Sequence, residues 1–126
     1  MVEIVESGPK DRFLVESYGS GGFEVAGARH RGSILLLQNR VLSWPVAAAS
    51  EIDEAALQPL LEAAERPEIL LIGSGERGFA LPARLRQVLR DRGLGVDVMA
   101  TPAACRTFNV LVMERRAAAA ALVAVD

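Results

Sequence analysis

The stretch Glu68-Ile69-Leu70-Leu71-Ile72-Gly73-Ser74-Gly75 decides the fold of this chain, because a short apolar strand leads directly into a glycine loop. Beyond the loop, apolar residues at helical spacing predict an amphipathic helix over Pro82 to Arg92. Gly93 and Gly95 can end this helix and lead into a strand at Val96-Asp97-Val98. Strand, helix and strand in this order predict a parallel crossover unit.

Two β hairpins are predicted before this unit. The first joins a strand over Arg12 to Tyr18, through a glycine-rich turn, to Phe23-Glu24-Val25. The second joins the apolar run Ser33 to Gln38 to Val41-Leu42-Ser43-Trp44, with Asn39-Arg40 as a two-residue turn. The first half of the chain is therefore expected to be rich in β structure.

A helix is predicted between the hairpins and the glycine loop, from Ser50 as its capping residue to about Glu65. Pro59 lies inside this range and would clash with the carbonyl four residues earlier. The helix therefore either starts late or kinks at this proline.

A further helix is predicted to start at Thr101, where a capping hydroxyl is followed by Pro102. The residues that share its apolar face are Ala104, Phe108, Leu111 and Val112. After this helix, Ala117 to Val125 is helical by propensity alone, and a strand at the end of the chain is the competing interpretation.

The composition is that of one globular domain over residues 1–126, with 51% hydrophobic and 24% charged residues. The formal net charge of -2 comes from interspersed signs without a basic arm, which argues against nucleic acid as a partner. Met1 to Glu6 lacks the pattern of a signal peptide, and no uncharged apolar stretch is long enough to span a membrane. We therefore expect no membrane insertion and a cytoplasmic location.

One cysteine and one histidine argue against a disulfide and against a metal site, and no cofactor is predicted. Cys105 lies beside Arg106 near the start of its helix, a setting that lowers the pKa of a thiol. A nucleophile also needs a base, however, and nothing in the sequence brings His30 near it, so a buried apolar cysteine is the favoured interpretation. His30 is interpreted as a solvated residue of the connection from Gly27 to Gly32, and no catalytic residue is predicted.

Four segments together resemble an uncharacterised domain family that includes mitochondrial complex I assembly factor three and an adipogenesis-associated protein with an Mth-type domain. They are Ile69 to Gly75, Leu81-Pro82, Val98-Met99 and Thr101-Pro102-Ala103-Ala104-Cys105-Arg106-Thr107-Phe108-Asn109-Val110-Leu111. The resemblance covers nearly the whole chain. Two positions depart from the family pattern: Ala100, often acidic or proline, and Arg115, where glycine is usual.

The resemblance implies an α/β fold, a three-layer sandwich with a central mixed sheet and N-terminal β hairpins. It also implies that Ala117 to Val125 is a C-terminal strand antiparallel to its neighbours, and we adopt this over the helical interpretation. The family has no established enzymatic activity, and its eukaryotic members assist the assembly of respiratory complex I. A non-catalytic interaction domain, related to assembly or scaffolding, is therefore the leading functional hypothesis.

The segment Gly73-Ser74-Gly75-Glu76-Arg77-Gly78 matches the pattern G-x-G-x-x-G after a strand, and Asp97 lies about where a ribose-binding acid would be expected. The nucleotide fingerprint requires a helix that begins within the motif, whereas Pro82 predicts a later start. The structural interpretation is that these glycines let the backbone turn tightly at the carboxyl edge of the sheet.

The alternative function is a small-molecule or anion-binding domain, with enzymatic activity left open, at this edge of the sheet. The hypothetical binding residues are Gly73, Ser74, Gly75, Thr101 and Arg106, with Arg106 as the counter-charge.

A second apolar side of the Thr101 helix carries Val110 and Met113 beside Arg106. This side is either packed in the core or presented to a protein partner, since apolar residues with arginine suit an interface. Asn109 is expected to bond neighbouring backbone and brace the glycine loop, and Trp44 to pack at the rim of the core. The sequence does not indicate an oligomeric state.

Overall fold

Eight strands and three α-helices follow one another in the computed structural model, which describes residues 13–126. The expectations for Met1 to Glu6 and for Arg12 lie outside the described residues. The elements are β1 (Val15–Gly19), β2 (Gly22–Val25), β3 (Ala28–Arg31), β4 (Ser33–Leu36), β5 (Val41–Trp44), α1 (Glu54–Leu61), β6 (Ile69–Gly73), α2 (Ala83–Asp91), β7 (Gly95–Met99), α3 (Thr101–Met113) and β8 (Ala118–Leu122).

The strands form two sheets. Strands β1, β2 and β3 make an antiparallel three-stranded sheet. The other five make a mixed sheet in the order β5-β4-β8-β6-β7, in which β6 is parallel to both β7 and β8. The predicted α/β class with a central mixed sheet is confirmed, and so is the crossover from β6 through α2 to β7.

The direction of β8 is predicted correctly for one neighbour and wrongly for the other. It is antiparallel to β4, where Leu35 faces Ala121, but parallel to β6, where Leu71 faces Ala120. The reason is α3, because a helical crossover returns the chain to the end of the sheet at which the preceding parallel strand began. The segment is a strand, as the resemblance implied, and the helical propensity of its alanines does not decide its structure.

Two apolar clusters cover the two faces of the central sheet and make the three layers. One cluster holds side chains of α1 and α2, among them Leu57 and Leu85, against one face. The other holds Phe108 of α3 together with Phe23 and Val25 of the three-stranded sheet against the opposite face. Trp44 is buried in the first cluster and its Nε1 donates to the carbonyl of Ala56 at 2.8 Å, so its predicted packing role is confirmed.

Both hairpins are present, with two corrections. In the second hairpin the amide of Leu37 donates to the carbonyl of Arg40 at 2.9 Å, so the two-residue turn is Gln38-Asn39, one residue earlier than predicted. In the first hairpin a third strand, β3, extends the sheet. His30 lies on β3 opposite Phe23 and is partly buried, so its assignment to a loop is wrong.

Helix α1 starts late, which is one of the two alternatives that Pro59 left open. Its capping residue is Asp53 instead of Ser50, because the Asp53 carboxylate accepts from the amide of Ala56 at 2.8 Å. Ser50 lies in a short 3-10 turn, Ala49–Glu51, before the helix. The helix ends at Leu61 instead of about Glu65, and it includes Pro59.

Helix α3 ends in a turn that normally uses glycine. The amide of Arg116 donates to the carbonyl of Leu111, and that of Arg115 to the carbonyl of Val112, both at 2.9 Å. This pair of bonds is a Schellman motif, which places the residue after the cap in the left-handed region. Arg115 occupies that position with φ +61°. The departure from the family pattern at this position therefore carries backbone strain.

We expect Arg115→Gly to raise the free energy of unfolding by about 1 kcal/mol, because glycine adopts this φ without a steric penalty. The corresponding rise in melting temperature is about 3 °C. Chemical and thermal unfolding followed by circular dichroism measure both changes. The matched control is Arg116→Gly, at a position without positive φ, which should give no gain; equal gains from the two variants would contradict this account.

Candidate functional site

The glycine loop and the start of α3 meet at the carboxyl edge of the central sheet, as the sequence predicts. The hydroxyl of Thr101 links them: it accepts from the amide of Gly75 at 2.9 Å and donates to the carbonyl of Val123 at 2.7 Å. The amide of Thr101 in turn donates to the carbonyl of Gly75 at 2.7 Å. Thr101 is fully buried, so these bonds lie inside the protein.

The prediction that the Thr101 hydroxyl caps α3 is therefore wrong. The helix begins after Ala100, which supplies no side-chain cap. A threonine at the first helical position can turn its hydroxyl away from the helix toward the strand ends, and here this contact satisfies a buried amide and a buried carbonyl. The Thr101 side chain therefore has a structural role, which is to join the strand ends to α3.

Gly73 is required by the close approach of α3 to β6. A Cβ placed on Gly73 would lie 2.9 Å from Thr101 Oγ1 and 3.0 Å from Thr101 Cα, closer than side chains tolerate. Gly75 has φ +102°, a conformation that residues with a Cβ rarely adopt. Both glycines thus serve the packing and the turn, which supports the structural interpretation of this motif.

Ser74 is also engaged within the protein. Its amide donates to the carbonyl of Met99 at 2.9 Å, and its hydroxyl lies 2.5 Å from the carbonyl of Arg77 and 3.2 Å from that of Met99. The amides of Ser74 and Gly75, which a bound anion would need, already donate to protein acceptors. Helix α2 starts only at Ala83, so its free amides do not lie within the glycine motif.

The fifth hypothetical binding residue, Arg106, points elsewhere. Its side chain is exposed and its Nη1 lies 3.0 Å from the hydroxyl of Tyr18 on β1. The structure therefore brings Gly73, Ser74, Gly75 and Thr101 together in one hydrogen-bonded group and places Arg106 beside the three-stranded sheet. Binding of a small molecule or anion by these five residues stays a prediction.

The outer side of α3 is a surface. Val110 is 55% exposed and Met113 57% exposed, and Arg106 lies one turn before Val110 on the same side. Of the two alternatives for this side of the helix, core packing is thus wrong. Arg106, Val110 and Met113 together form this surface, the α3 face.

Tyr18 is the residue of this surface that sequence reasoning missed. It is 38% exposed and precedes Gly19 at the end of β1. Its contact with Arg106 joins positions 88 residues apart, and no local pattern in the sequence signals such a pair. The only hint was an aromatic residue at the end of a predicted hairpin strand.

Asn109 fixes β1 onto α3. Its Oδ1 accepts from the amide of Val15 at 2.9 Å, and its Nδ2 donates to the carbonyl of Val15 at 2.8 Å. The prediction that Asn109 bonds neighbouring backbone is confirmed, but the segment that it braces is β1 and not the glycine loop. This pair also holds the Tyr18 strand in place beside the α3 face.

Cys105 is buried, and desolvation raises the pKa of its thiol to about 12, although the nearby charge of Arg106 acts in the opposite direction. The thiol is thus protonated at neutral pH, as expected of a buried apolar cysteine. Within residues 13–126, no group of three or more His, Cys, Asp or Glu side chains is placed to hold a metal ion. No helix in the same range has the length and apolar character to cross a membrane.

Residues 15–123 match the family described as protein of unknown function (DUF498/DUF598). This chain belongs to that family. It is 34% identical over 122 residues to human NADH dehydrogenase (ubiquinone) 1 alpha subcomplex assembly factor 3. The match covers 97% of this chain and 66% of the human protein, so the chain spans just under two thirds of that relative.

Two solved structures share the fold. A Bartonella henselae protein described as an outer membrane protein is 38% identical, with a TM-score of 0.85 over 91% of this chain and 97% of that one. A Bordetella pertussis protein described as a Mth938-like domain is 29% identical, with a TM-score of 0.83 over 98% of this chain and 92% of that one. The resemblance stated from the sequence, and the three-layer fold that it implied, are confirmed.

We expect Thr101→Val to lower the free energy of unfolding by about 2 to 4 kcal/mol, because it leaves the Gly75 amide and the Val123 carbonyl buried without partners. Urea unfolding measures this loss. The matched control is Thr107→Val, at a half-buried position where the hydroxyl makes only a 3.6 Å contact with the Met99 sulfur. A loss at Thr101 no larger than that at Thr107 would show that the hydroxyl bonds do not hold the edge together.

A second expectation concerns Cys105. At about pH 8 the folded protein should react with a thiol reagent at least about a hundredfold more slowly than the unfolded chain, because burial raises the pKa of the Cys105 thiol to about 12 and so lowers the thiolate population. The rate should rise about tenfold per pH unit as the thiolate population grows. A colorimetric thiol assay with and without guanidinium chloride measures the ratio. Equal rates in the two states would contradict a buried, protonated thiol.

Proposed function

We propose that this chain is a non-catalytic interaction domain that binds a protein partner through the α3 face. The observation that carries the proposal is the exposure of Val110 and Met113, 55% and 57%, on one side of a helix whose other side is buried. Burying such side chains in a partner is favourable, and apolar residues flanked by arginine are typical of interfaces.

The neighbouring groups support an interface at this place. Tyr18 adds an exposed aromatic side chain beside Arg106, and Tyr and Arg are enriched among residues that dominate binding energies. Asn109 anchors β1 to α3, so helix and strand present one connected surface. A rigid surface loses less conformational entropy when a partner binds.

The interior of the chain supports a role without catalysis. The polar groups of the glycine loop donate and accept within the protein, and the Cys105 thiol is protonated. A catalytic serine or cysteine would need a neighbouring base and an open pocket. Ser74 instead donates to backbone carbonyls, and Cys105 is buried.

The relatives suggest the class of partner. The human relative is named as an assembly factor of a respiratory NADH dehydrogenase, and this chain spans 66% of it. We extend that role to this chain: its partner is a subunit or assembly intermediate of the corresponding NADH dehydrogenase, bound on the cytoplasmic side. The α3 face lies within the matched residues 15–123, so it belongs to the part that family members share.

Val110→Asp and Met113→Asp should each reduce recovery of NADH dehydrogenase subunits about tenfold or more, because a charge in the centre of an apolar interface is left desolvated. The measurement is affinity capture with the tagged chain from native lysate, quantified by mass spectrometry. Phe79→Asp is the matched control, since Phe79 is 37% exposed and lies outside the α3 face, between β6 and α2.

Melting temperatures close to that of the unaltered chain would show that the variants fold. Equal recovery of the same subunits by folded Val110→Asp, Met113→Asp and Phe79→Asp would then contradict binding through the α3 face. Recovery of no NADH dehydrogenase subunit by the unaltered chain would contradict the assembly role.

A further inference from the structure

We propose that the α3 face is self-complementary and that two copies of this chain associate through it, with their α3 helices antiparallel about a two-fold axis at Val110. This inference rests on the proposed function, because it identifies a second occupant of the same face and hence a way to regulate it. Where the concentration of the chain exceeds the Kd of this dimer, the second copy covers the face and competes with the assembly partner for it.

The spacing of charges along α3 carries the inference. Arg106 lies four residues before Val110 and Glu114 four residues after it, which is about 6 Å along the helix axis in each direction. An antiparallel pair centred on Val110 therefore places Arg106 of one copy opposite Glu114 of the other, and the two-fold axis repeats the contact. A parallel pair would place Arg106 opposite Arg106, which costs free energy.

Both charged groups are accessible. Glu114 is exposed, with its carboxylate 4.0 Å from the Arg116 guanidinium at the limit of an ion pair. The Arg106 guanidinium contacts the hydroxyl of Tyr18, a neutral group, and no carboxylate of residues 13–126 lies within ion-pair distance of it. Its charge is thus uncompensated by the part of the chain that the structure describes. A carboxylate brought by a second copy supplies the missing counter-charge.

The apolar residues fit the same arrangement. Val110 lies on the axis and contacts Val110 of the second copy, which removes two exposed side chains from water at once. Met113 of the second copy lies opposite Thr107 of the first copy. There it is next to Arg106 and to Tyr18, the residue to which Arg106 is hydrogen-bonded. Two exposed apolar residues and one charge pair on each copy are fewer contacts than a permanent dimer requires. We therefore expect a reversible dimer with a Kd on the order of tens of micromolar.

A charge exchange tests the arrangement. Arg106→Glu and Glu114→Arg should each weaken the dimer at least about tenfold, because each creates two like-charge contacts across the axis. The double variant R106E/E114R should restore the dimer to within about threefold of the unaltered chain. Sedimentation velocity of the purified chain over a concentration series measures the Kd, and thermal melting confirms that each variant is folded. The matched control is Arg86→Glu on α2, an exposed residue outside the α3 face, which should leave the Kd unchanged.

A chain that remains monomeric at several hundred micromolar would overturn the inference, and so would a dimer that persists in Val110→Asp. Failure of the double variant to recover association would overturn the antiparallel register.

The same double variant separates this inference from the proposed function. It restores self-association but reverses the charge presented to a different protein, so capture of NADH dehydrogenase subunits should remain reduced. If the chain is monomeric and still captures NADH dehydrogenase subunits at the normal level, the proposed function stands and only the dimer is excluded.

Discussion

The hydroxyl of Thr101 is the contact on which the rest of the structure depends, because it joins the ends of β6 and β8 to the start of α3. It works only because Gly73 has no side chain, which lets the first residue of α3 approach β6 directly. Within the glycine pattern that resembles a nucleotide fingerprint, Gly73 is thus explained by internal packing and Gly75 by its φ of +102°. The amides that a phosphate would need are the ones that this contact and the Met99 carbonyl already use.

Close packing also explains why small residues occupy β8, the central strand of the five-stranded sheet. Its alanines alternate between the two apolar clusters, with Ala119 and Ala121 toward α1 and α2 and Ala118 and Ala120 toward α3. Small side chains in the central strand let layers on both faces pack closely. Alanine is the best helix former in isolation, so local propensity gives the wrong element here, and burial on both faces overrides it. The family resemblance supplied the strand because it carries information about the whole fold.

Sequence reasoning identified the elements whose pattern is local and missed those set by distant partners. The hairpins, α2, α3 and the parallel crossover follow from apolar spacing and from Gly and Pro. Strand β3 carries Arg29, His30 and Arg31, has no apolar alternation, and forms because β2 offers a free edge. The hydroxyl bonds of Thr101 and the Tyr18 contact of Arg106 were not predicted, because each joins residues far apart in the chain.

The contrast between hydrogen-bonded polar groups in the interior and exposed apolar residues on α3 indicates that the function lies at the α3 face. Buried polar groups at the carboxyl edge have partners, whereas Arg106, Val110 and Met113 lie exposed on a helix that Asn109 locks to β1. The Tyr18 hydroxyl holds the Arg106 guanidinium without neutralising its charge. An arginine that is already positioned loses less rotamer entropy when it pairs with a carboxylate, so a surface ion pair, normally worth little, contributes more to specificity. The hydrogen bond to Tyr18 thus holds the Arg106 guanidinium in position for a carboxylate of either proposed partner, a second copy of the chain or an NADH dehydrogenase subunit.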